Sequence, residues 1–141
     1  MKILVTGGLG YIGSHTVVEL QQAGHSVIVA DNCSNADTTV LRGISNITGH
    51  PVDFEYVDIR NIDKLRYILE KYETIDAVIH FAAKKSVSES EDVPLDYYDN
   101  NVTGTINLLR FVKEWNIPRL VFSSSCTVYG EPERLPVSES E

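Results

Sequence analysis

The sequence predicts an α/β protein built on a doubly wound parallel sheet. Short, continuously apolar runs rich in β-branched residues recur along it, helical patterns separate them, and a glycine cluster joins the first run to the first helix. The first strand is expected at Ile3-Leu4-Val5, followed by a helix from Tyr11 to Ala23 that Gly24 ends. Val27-Ile28-Val29 reads as the second strand. Residues 32–51 are polar and turn-rich, with room for one short helix around Val40. Phe54 to Val57 is the third strand, and Asn61 to Tyr72 a helix with Asn61 as N-cap and Ile62, Leu65, Leu69 and Tyr72 on one face. Ala77 to Phe81 is the fourth strand. A long helix should then run from Asp92-Val93-Pro94 to Trp115, Pro94 in its first turn, with a stripe of Tyr97, Asn101, Thr105, Leu108, Val112 and Trp115. Leu120-Val121-Phe122 is the fifth strand. No internal repeat interrupts this alternation, which implies right-handed crossovers.

Composition narrows the function classes. The 141 residues allow one domain with a real core, and 43% hydrophobic with 23% charged residues is ordinary globular usage. A net charge of -8 argues against nucleic acid, whose phosphates need clustered Lys and Arg. An anionic ligand would have to be held locally by backbone N–H groups. Cys33 and Cys126 are too few for a disulfide framework and read as reduced thiols of a cytoplasmic protein. Met1 to Gly8 reads as a strand entering glycines rather than a signal peptide, and no apolar run reaches the length of a membrane span. His15, His25, His50 and His80 form no ligand set, so no metal is expected; His80, inside an apolar strand, reads as a packed core residue.

Thr6-Gly7-Gly8-Leu9-Gly10-Tyr11-Ile12-Gly13 follows the first strand and opens the first helix. It satisfies Gly8-x-Gly10-x-x-Gly13 and Gly7-x-x-Gly10-x-x-Gly13 together. One glycine makes the tight turn, one lets backbone approach a diphosphate, and Gly13 lets helix and strand pack closely. The diphosphate would sit on the helix N-terminus, where free N–H groups favour negative charge. Asp31 closes the second strand 18 residues past Gly13, where a dinucleotide site wants an acid for the adenosine ribose hydroxyls. That carboxylate repels a 2′-phosphate, and no Arg lies in 32–37 to accept one, so NAD is favoured over NADP. The sheet is therefore expected to be Rossmann-like.

Tyr11-Ile12-Gly13-Ser14-His15 resembles the extended short-chain dehydrogenase/reductase family. Three further stretches sharpen the resemblance to the UDP-glucose 4-epimerase family: His80-Phe81-Ala82-Ala83-Lys84-Lys85-Ser86-Val87, Pro94-Leu95-Asp96-Tyr97-Tyr98-Asp99-Asn100-Asn101-Val102, and Phe122-Ser123-Ser124-Ser125-Cys126-Thr127-Val128-Tyr129-Gly130. Lys84 and Ser88 replace an apolar residue and a glycine usual in the family, and Cys126 stands where alanine is common. The resemblance implies that Gly7, Gly10, Gly13, Tyr11 and Ile12 meet the diphosphate of NAD. Asp31, Asn32 and Asn35 would line the adenosine ribose, and Asp58 and Ile59 would border the adenine, Asp58 accepting from its exocyclic amine. Phe81, Ala82 and Lys85 would follow the fourth strand around the cofactor, with Asn100 pointing at it from the long helix. Ser125 is implied as the catalytic and substrate-binding residue, hydrogen-bonded to the sugar 4-hydroxyl. Taken alone, Lys85 reads as a surface lysine and Asn100 as a helix-surface amide.

The implied reaction interconverts UDP-glucose and UDP-galactose through a 4-keto sugar, with hydride passing to the nicotinamide and back. Its base would be the tyrosine of a Tyr-x-x-x-Lys motif after the Ser-rich strand. Tyr67-x-x-x-Lys71 has the spacing but precedes the fourth strand, so it is rejected. On this reading residues 1–141 are one incomplete NAD-binding domain, stopping after the fifth strand and inactive or nearly so, with the substrate domain and its UDP-sugar contacts absent. Leu120 to Phe122 should then present an unpaired apolar edge, leaving the chain marginally stable or self-associating as a homo-oligomer. Two alternatives stay open: a non-catalytic NAD-binding module, and another nucleotide-sugar enzyme of the superfamily. A 4,6-dehydratase would want an acidic residue at Cys126-Thr127-Val128, which has none.

Overall fold

Alternation along the central strands decides the layers of the molecule, a computed structural model that describes residues 1–132 and 134–139. In β1 (Lys2–Thr6) and β2 (Ser26–Asp31), Ile3, Val5, Val27 and Val29 are buried on one face, and Leu4, Ile28 and Ala30 on the other. The first set packs with Val17 of α1 (Tyr11–Gln22) and Ile44 of α2 (Thr39–Thr48). The second packs with Leu65, Ile68 and Leu69 of α3 (Ile62–Tyr72) and with Leu108 and Phe111 of α6 (Gly104–Glu114). Strands apolar on both faces are what a parallel sheet sandwiched between helices requires. With β3 (Asp53–Tyr56), β4 (Ala77–His80) and β5 (Leu120–Phe122), the parallel sheet runs in the order β3-β2-β1-β4-β5. The predicted architecture and all the predicted strands are present; Val57 and Phe81 lie just past their strand ends.

Asn61 caps α3 as its position predicts, its side-chain oxygen accepting from the Lys64 N–H at 3.0 Å. Asn61→Ala should lower stability by about 1 kcal/mol, read by urea unfolding. An unchanged midpoint would mean that solvent satisfies this N–H equally well.

Two differences from expectation lie between β4 and β5. A short helix α4 (Val87–Asp92) precedes α5 (Pro94–Tyr98), with Ser86 accepting from the Glu89 N–H as its N-cap. It has no apolar stripe to reveal it, although Ser86-x-x-Glu89 is the spacing of a capping box. The expected long helix is present but widens into a π turn at Asp99–Thr103 before continuing as α6. Its buried face is Asn100, Gly104, Asn107, Leu108 and Phe111, one position off the predicted stripe for all but Leu108. Trp115 is 43% exposed. The reason is Gly104, where a Cβ would stand 2.6 Å from Ile59 Cδ1. A glycine flanked by two buried asparagines fills the tightest contact, and counting apolar residues does not mark it.

β5 pairs with β4 alone among the described residues, and Leu120, Val121 and Phe122 are 37%, 57% and 55% exposed. The predicted apolar edge is therefore present. Beside it lies an apolar groove of about 210 Å³ lined by His80, Thr105, Leu108, Leu109, Leu120 and Phe122.

Candidate functional site

The strand order reverses at β1 and β4, and in such a sheet the crevice outside the strand carboxyl ends at that point is the usual ligand position. The glycine loop forms one wall. Gly7 has φ +72°, and a Cβ there would stand 2.6 Å from the Ala82 nitrogen and 2.7 Å from the Phe81 carbonyl carbon. Only glycine both adopts that turn and lets the two loops touch. A Cβ on Gly13 would collide with the Gly7 carbonyl oxygen and stand 2.9 Å from Gly8 Cα, so this residue permits the close helix–loop contact. Gly8 instead faces Val29, where a Cβ would be 2.9 Å from Cγ1. Gly7 and Gly13 thus carry the backbone-to-backbone contacts of the loop, whereas Gly8 packs on a side chain. Gly10 caps α1 without a side-chain hydrogen bond, and the first turn carries no acidic residue. The first-turn N–H groups, from Tyr11 onward, have no intrahelical acceptor and face outward with positive potential. The Tyr11 and Ile12 side chains are exposed.

Asp31 is buried at the end of β2, its oxygens accepting from the Leu9 N–H at 3.1 Å and the Cys33 N–H at 2.9 Å. The carboxylate therefore ties the glycine loop to the second strand and keeps lone pairs for further donors. Burial, then the Asp31 and Asp37 charges, push the Cys33 thiol up, so it is a neutral thiol. Asn32 donates to Asp58 Oδ2 at 3.1 Å, linking the ends of β2 and β3. Asn35 is exposed in the turn that follows.

Asp58 has a partner that its place in the sequence did not suggest. Arg60 holds both carboxylate oxygens, Nη2 at 2.7 Å and Nε at 2.9 Å, and extends Nη1 to Asp99 at 3.2 Å. The guanidinium hydrogen bonds hold the Asp58 carboxyl well below the usual carboxylate range. Two carboxylates neutralise Arg60, so it is no open phosphate site. Ile59 is buried against Gly104, and Asn107 fixes the backbone beside it by donating to the Arg60 carbonyl at 2.8 Å.

Across the crevice, the Phe81 N–H donates to the Thr6 carbonyl at 2.9 Å, and Phe81 and Ala82 are half-buried against the glycine loop. The next segment is anchored by Asn101, missing from the predicted site, whose amide accepts from the Lys84 N–H at 2.9 Å and donates to the Lys84 carbonyl at 2.8 Å. Only its presence among the motif residues of the long helix hinted at this. Lys85 projects into solvent. Asn100 is buried in the π turn, its amide donating to Asn101 Oδ1 at 2.9 Å. Ser125 stands apart from these residues, exposed beyond β5, its Oγ accepting from the Thr127 N–H at 3.2 Å. The backbone brings it round by extending the β4–β5 ladder, Ser123 N–H to the His80 carbonyl at 3.1 Å. His80 is buried as expected but hydrogen-bonded at both ring nitrogens, to Thr6 and to Thr105.

Residues 3–141 match the family described as the NAD dependent epimerase/dehydratase family. A UDP-glucose 4-epimerase of Dictyostelium discoideum is 47% identical over 98% of the chain and 40% of its own length. A UDP-glucose 4-epimerase structure from Stenotrophomonas maltophila, with bound NAD and formylated UDP-arabinopyranose, superposes with a TM-score of 0.92 at 48% identity, over 99% of this chain and 41% of that one. Another, from Bifidobacterium longum in complex with NAD+ and UDP, gives 0.91 at 42% identity over the same shares. The chain spans about two-fifths of the length of these relatives.

Proposed function

The chain belongs to the NAD dependent epimerase/dehydratase family, and from that premise we propose that residues 1–141 are the cofactor-binding domain of a UDP-glucose 4-epimerase, with NAD in the crevice at the carboxyl ends of the strands. The observation that carries this reading is the glycine wall: Gly7 against Phe81 and Ala82, Gly13 against Gly7, and Asp31 fastened beneath Leu9. A side chain at either glycine would force apart the backbone segments that shape this wall. Tyr11, Ile12 and Gly13 would present N–H groups to the diphosphate beside Gly10, whose own N–H closes the loop onto the Gly7 carbonyl at 3.2 Å, and Asp31, Asn32 and Asn35 would meet the adenosine ribose. Asp58 and Ile59 would border the adenine, the Asp58 charge already held by Arg60. Phe81, Ala82, Lys85 and Asn100 would line the nicotinamide half.

When bound, NAD supplies a hydride acceptor and donor. Ser125 would hydrogen-bond the sugar 4-hydroxyl and orient it for proton removal. Residues 123–141 contain Tyr129 but no lysine, so they hold no Tyr-x-x-x-Lys pair to lower a phenol pKa. Residues 1–141 by themselves are accordingly expected to bind NAD and to turn over little or no UDP-sugar. The cytoplasm fits an NAD enzyme with free thiols at Cys33 and Cys126, and among the described residues no helix is long and apolar enough to cross a membrane. Nucleic acid remains disfavoured by the net charge of -8. Self-association through β5 would cover its exposed edge.

Calorimetric titration tests the cofactor. NAD should bind more tightly than NADP by about tenfold or more, because the Asp31 charge opposes a 2′-phosphate. Asp31→Asn should narrow that gap, measured where the variant is folded, since one amide end must now face a backbone N–H. Equal affinities in the unmodified protein would sink the assignment.

The reaction is tested in a protein carrying this chain with the downstream portion its relatives have. Such a protein should interconvert UDP-glucose and UDP-galactose. Ser125→Ala should slow it by about a hundredfold with little change in bound NAD. Release of a 4-keto-6-deoxy sugar would instead establish a dehydratase.

A further inference from the structure

His80 is buried in β4, yet it spends both ring nitrogens on hydroxyl groups of two other elements. The direction of these bonds follows from their neighbours. Thr105 Oγ1 lies 2.6 Å from the Asn101 carbonyl oxygen, which can only accept, so the hydroxyl proton points there. His80 Nε2, at 3.1 Å from the same Oγ1, must then be the donor. That leaves Nδ1 as an acceptor, filled by the Thr6 hydroxyl at 2.7 Å. Burial pushes the imidazole down to about 4, so this neutral tautomer persists at pH 7.

The chain of bonds reaches both walls of the crevice. Thr6 immediately precedes Gly7. Thr105 bonds the carbonyl of Asn101, whose side chain holds Lys84 at both backbone groups and accepts from Asn100. A π turn is an irregular helical turn often found at functional sites, and here its carbonyl is tied into tertiary bonds. We propose that His80 is a positioning residue for the cofactor crevice: bonded to Thr6 at the root of the glycine loop and through Thr105 to the π turn, it fixes where Asn100 and the Lys84–Lys85 segment stand relative to the glycines. The proposal rests on the NAD reading for its functional consequence, and on the bond chain alone for its positional one.

The two parts are tested separately in the 141-residue chain. Hydrogen exchange without ligand reads position. Thr105→Val should speed exchange at Lys84 and at residues 100–105 by about tenfold relative to β1 and β2, and His80→Asn, which keeps the Thr6 bond but falls short of Thr105, should do the same. Thr105→Ser, which keeps the hydroxyl, should not. Calorimetric titration reads function: NAD affinity should fall by about tenfold in Thr105→Val and remain in Thr105→Ser. Thr48→Val is the control. Thr48 in α2 also bonds a carbonyl one turn back and a side chain on another helix, Gln21, but lies outside the crevice. It should lose stability and keep NAD affinity. Uniform changes in exchange, or local loosening with unchanged NAD affinity, would overturn the proposal. An unmodified chain that binds no NAD would overturn the cofactor reading, while the exchange result would still decide the network.

Discussion

Alanine at Gly7 or Gly13 is expected to cost about 3 kcal/mol or more in folding stability, the upper end of what overpacking does. At Gly13 the added methyl meets the Gly7 carbonyl, which cannot withdraw because its own residue lies against the loop after β4. At Gly7 two penalties combine: a left-handed φ of +72° and a clash with the Ala82 nitrogen at 2.6 Å. Gly43 provides the contrast within the same molecule. It sits inside α2 without a positive φ, and no neighbouring atom comes within 4 Å of the place a methyl would take. Gly43→Ala should therefore stabilise by about 0.5–1 kcal/mol. Urea unfolding of the three variants should separate them widely. A Gly13→Ala protein as stable as its parent would mean that α1 does not pack on the loop as closely as the structure has it.

Acidification should destabilise the fold through His80. Its folded value is about 4, against an ordinary imidazole near 6.5 in the unfolded chain. Between those values the unfolded state binds the proton and the folded state does not, so stability falls as pH drops from about 6.5 to about 4. Going from pH 7 to pH 5 should remove about 2 kcal/mol. Asp58 acts in a different window: its depressed value makes its contribution present above the usual carboxylate range and lost only below it. The loss between pH 7 and 5 thus belongs to the histidine. His80→Gln should begin less stable at pH 7 and lack most of the dependence over this range. An equally steep dependence in the variant would assign it elsewhere.

These features differ in how far the sequence could show them. The glycine loop is legible because its steric demands leave glycine as the solution at Gly7 and Gly13, and because a strand and a helix flank it. The Asn61 cap is legible as a short-range requirement at an element end, whereas the place of Asp31 at the end of β2 suggested a ribose contact and not its bonds to the Leu9 and Cys33 N–H groups. The Arg60 clamp on Asp58 is partly local, but its second bond to Asp99 depends on how β3 approaches the long helix. The His80 bonds span 74 and 25 residues, and an apolar strand around a histidine suggests burial without naming a partner. The π turn was hidden for a related reason. Gly104 against Ile59 and Thr105 beneath His80 set its shape, and both are contacts between distant segments.

The position of β1 in the middle of the sheet also governs how the chain can fold as it is made. Of the five strands β1 is synthesised before the others, and β2 can join it after one helix, at a separation such as Lys2 to Ser26. Its other neighbour pairs Ile3 with Ala77, far later in the chain. Closing that longer loop adds only about 1 kcal/mol of entropy. The delay matters more: at about 5–20 residues per second, β1 waits on the order of 3 to 10 s for β4 after β2 is complete. Through that interval the edge formed by Ile3, Leu4 and Val5 is open, and Gly7 has no Phe81–Ala82 backbone to rest against. The half of the crevice built from Phe81 and Ala82 is therefore complete only once β4 has closed the sheet.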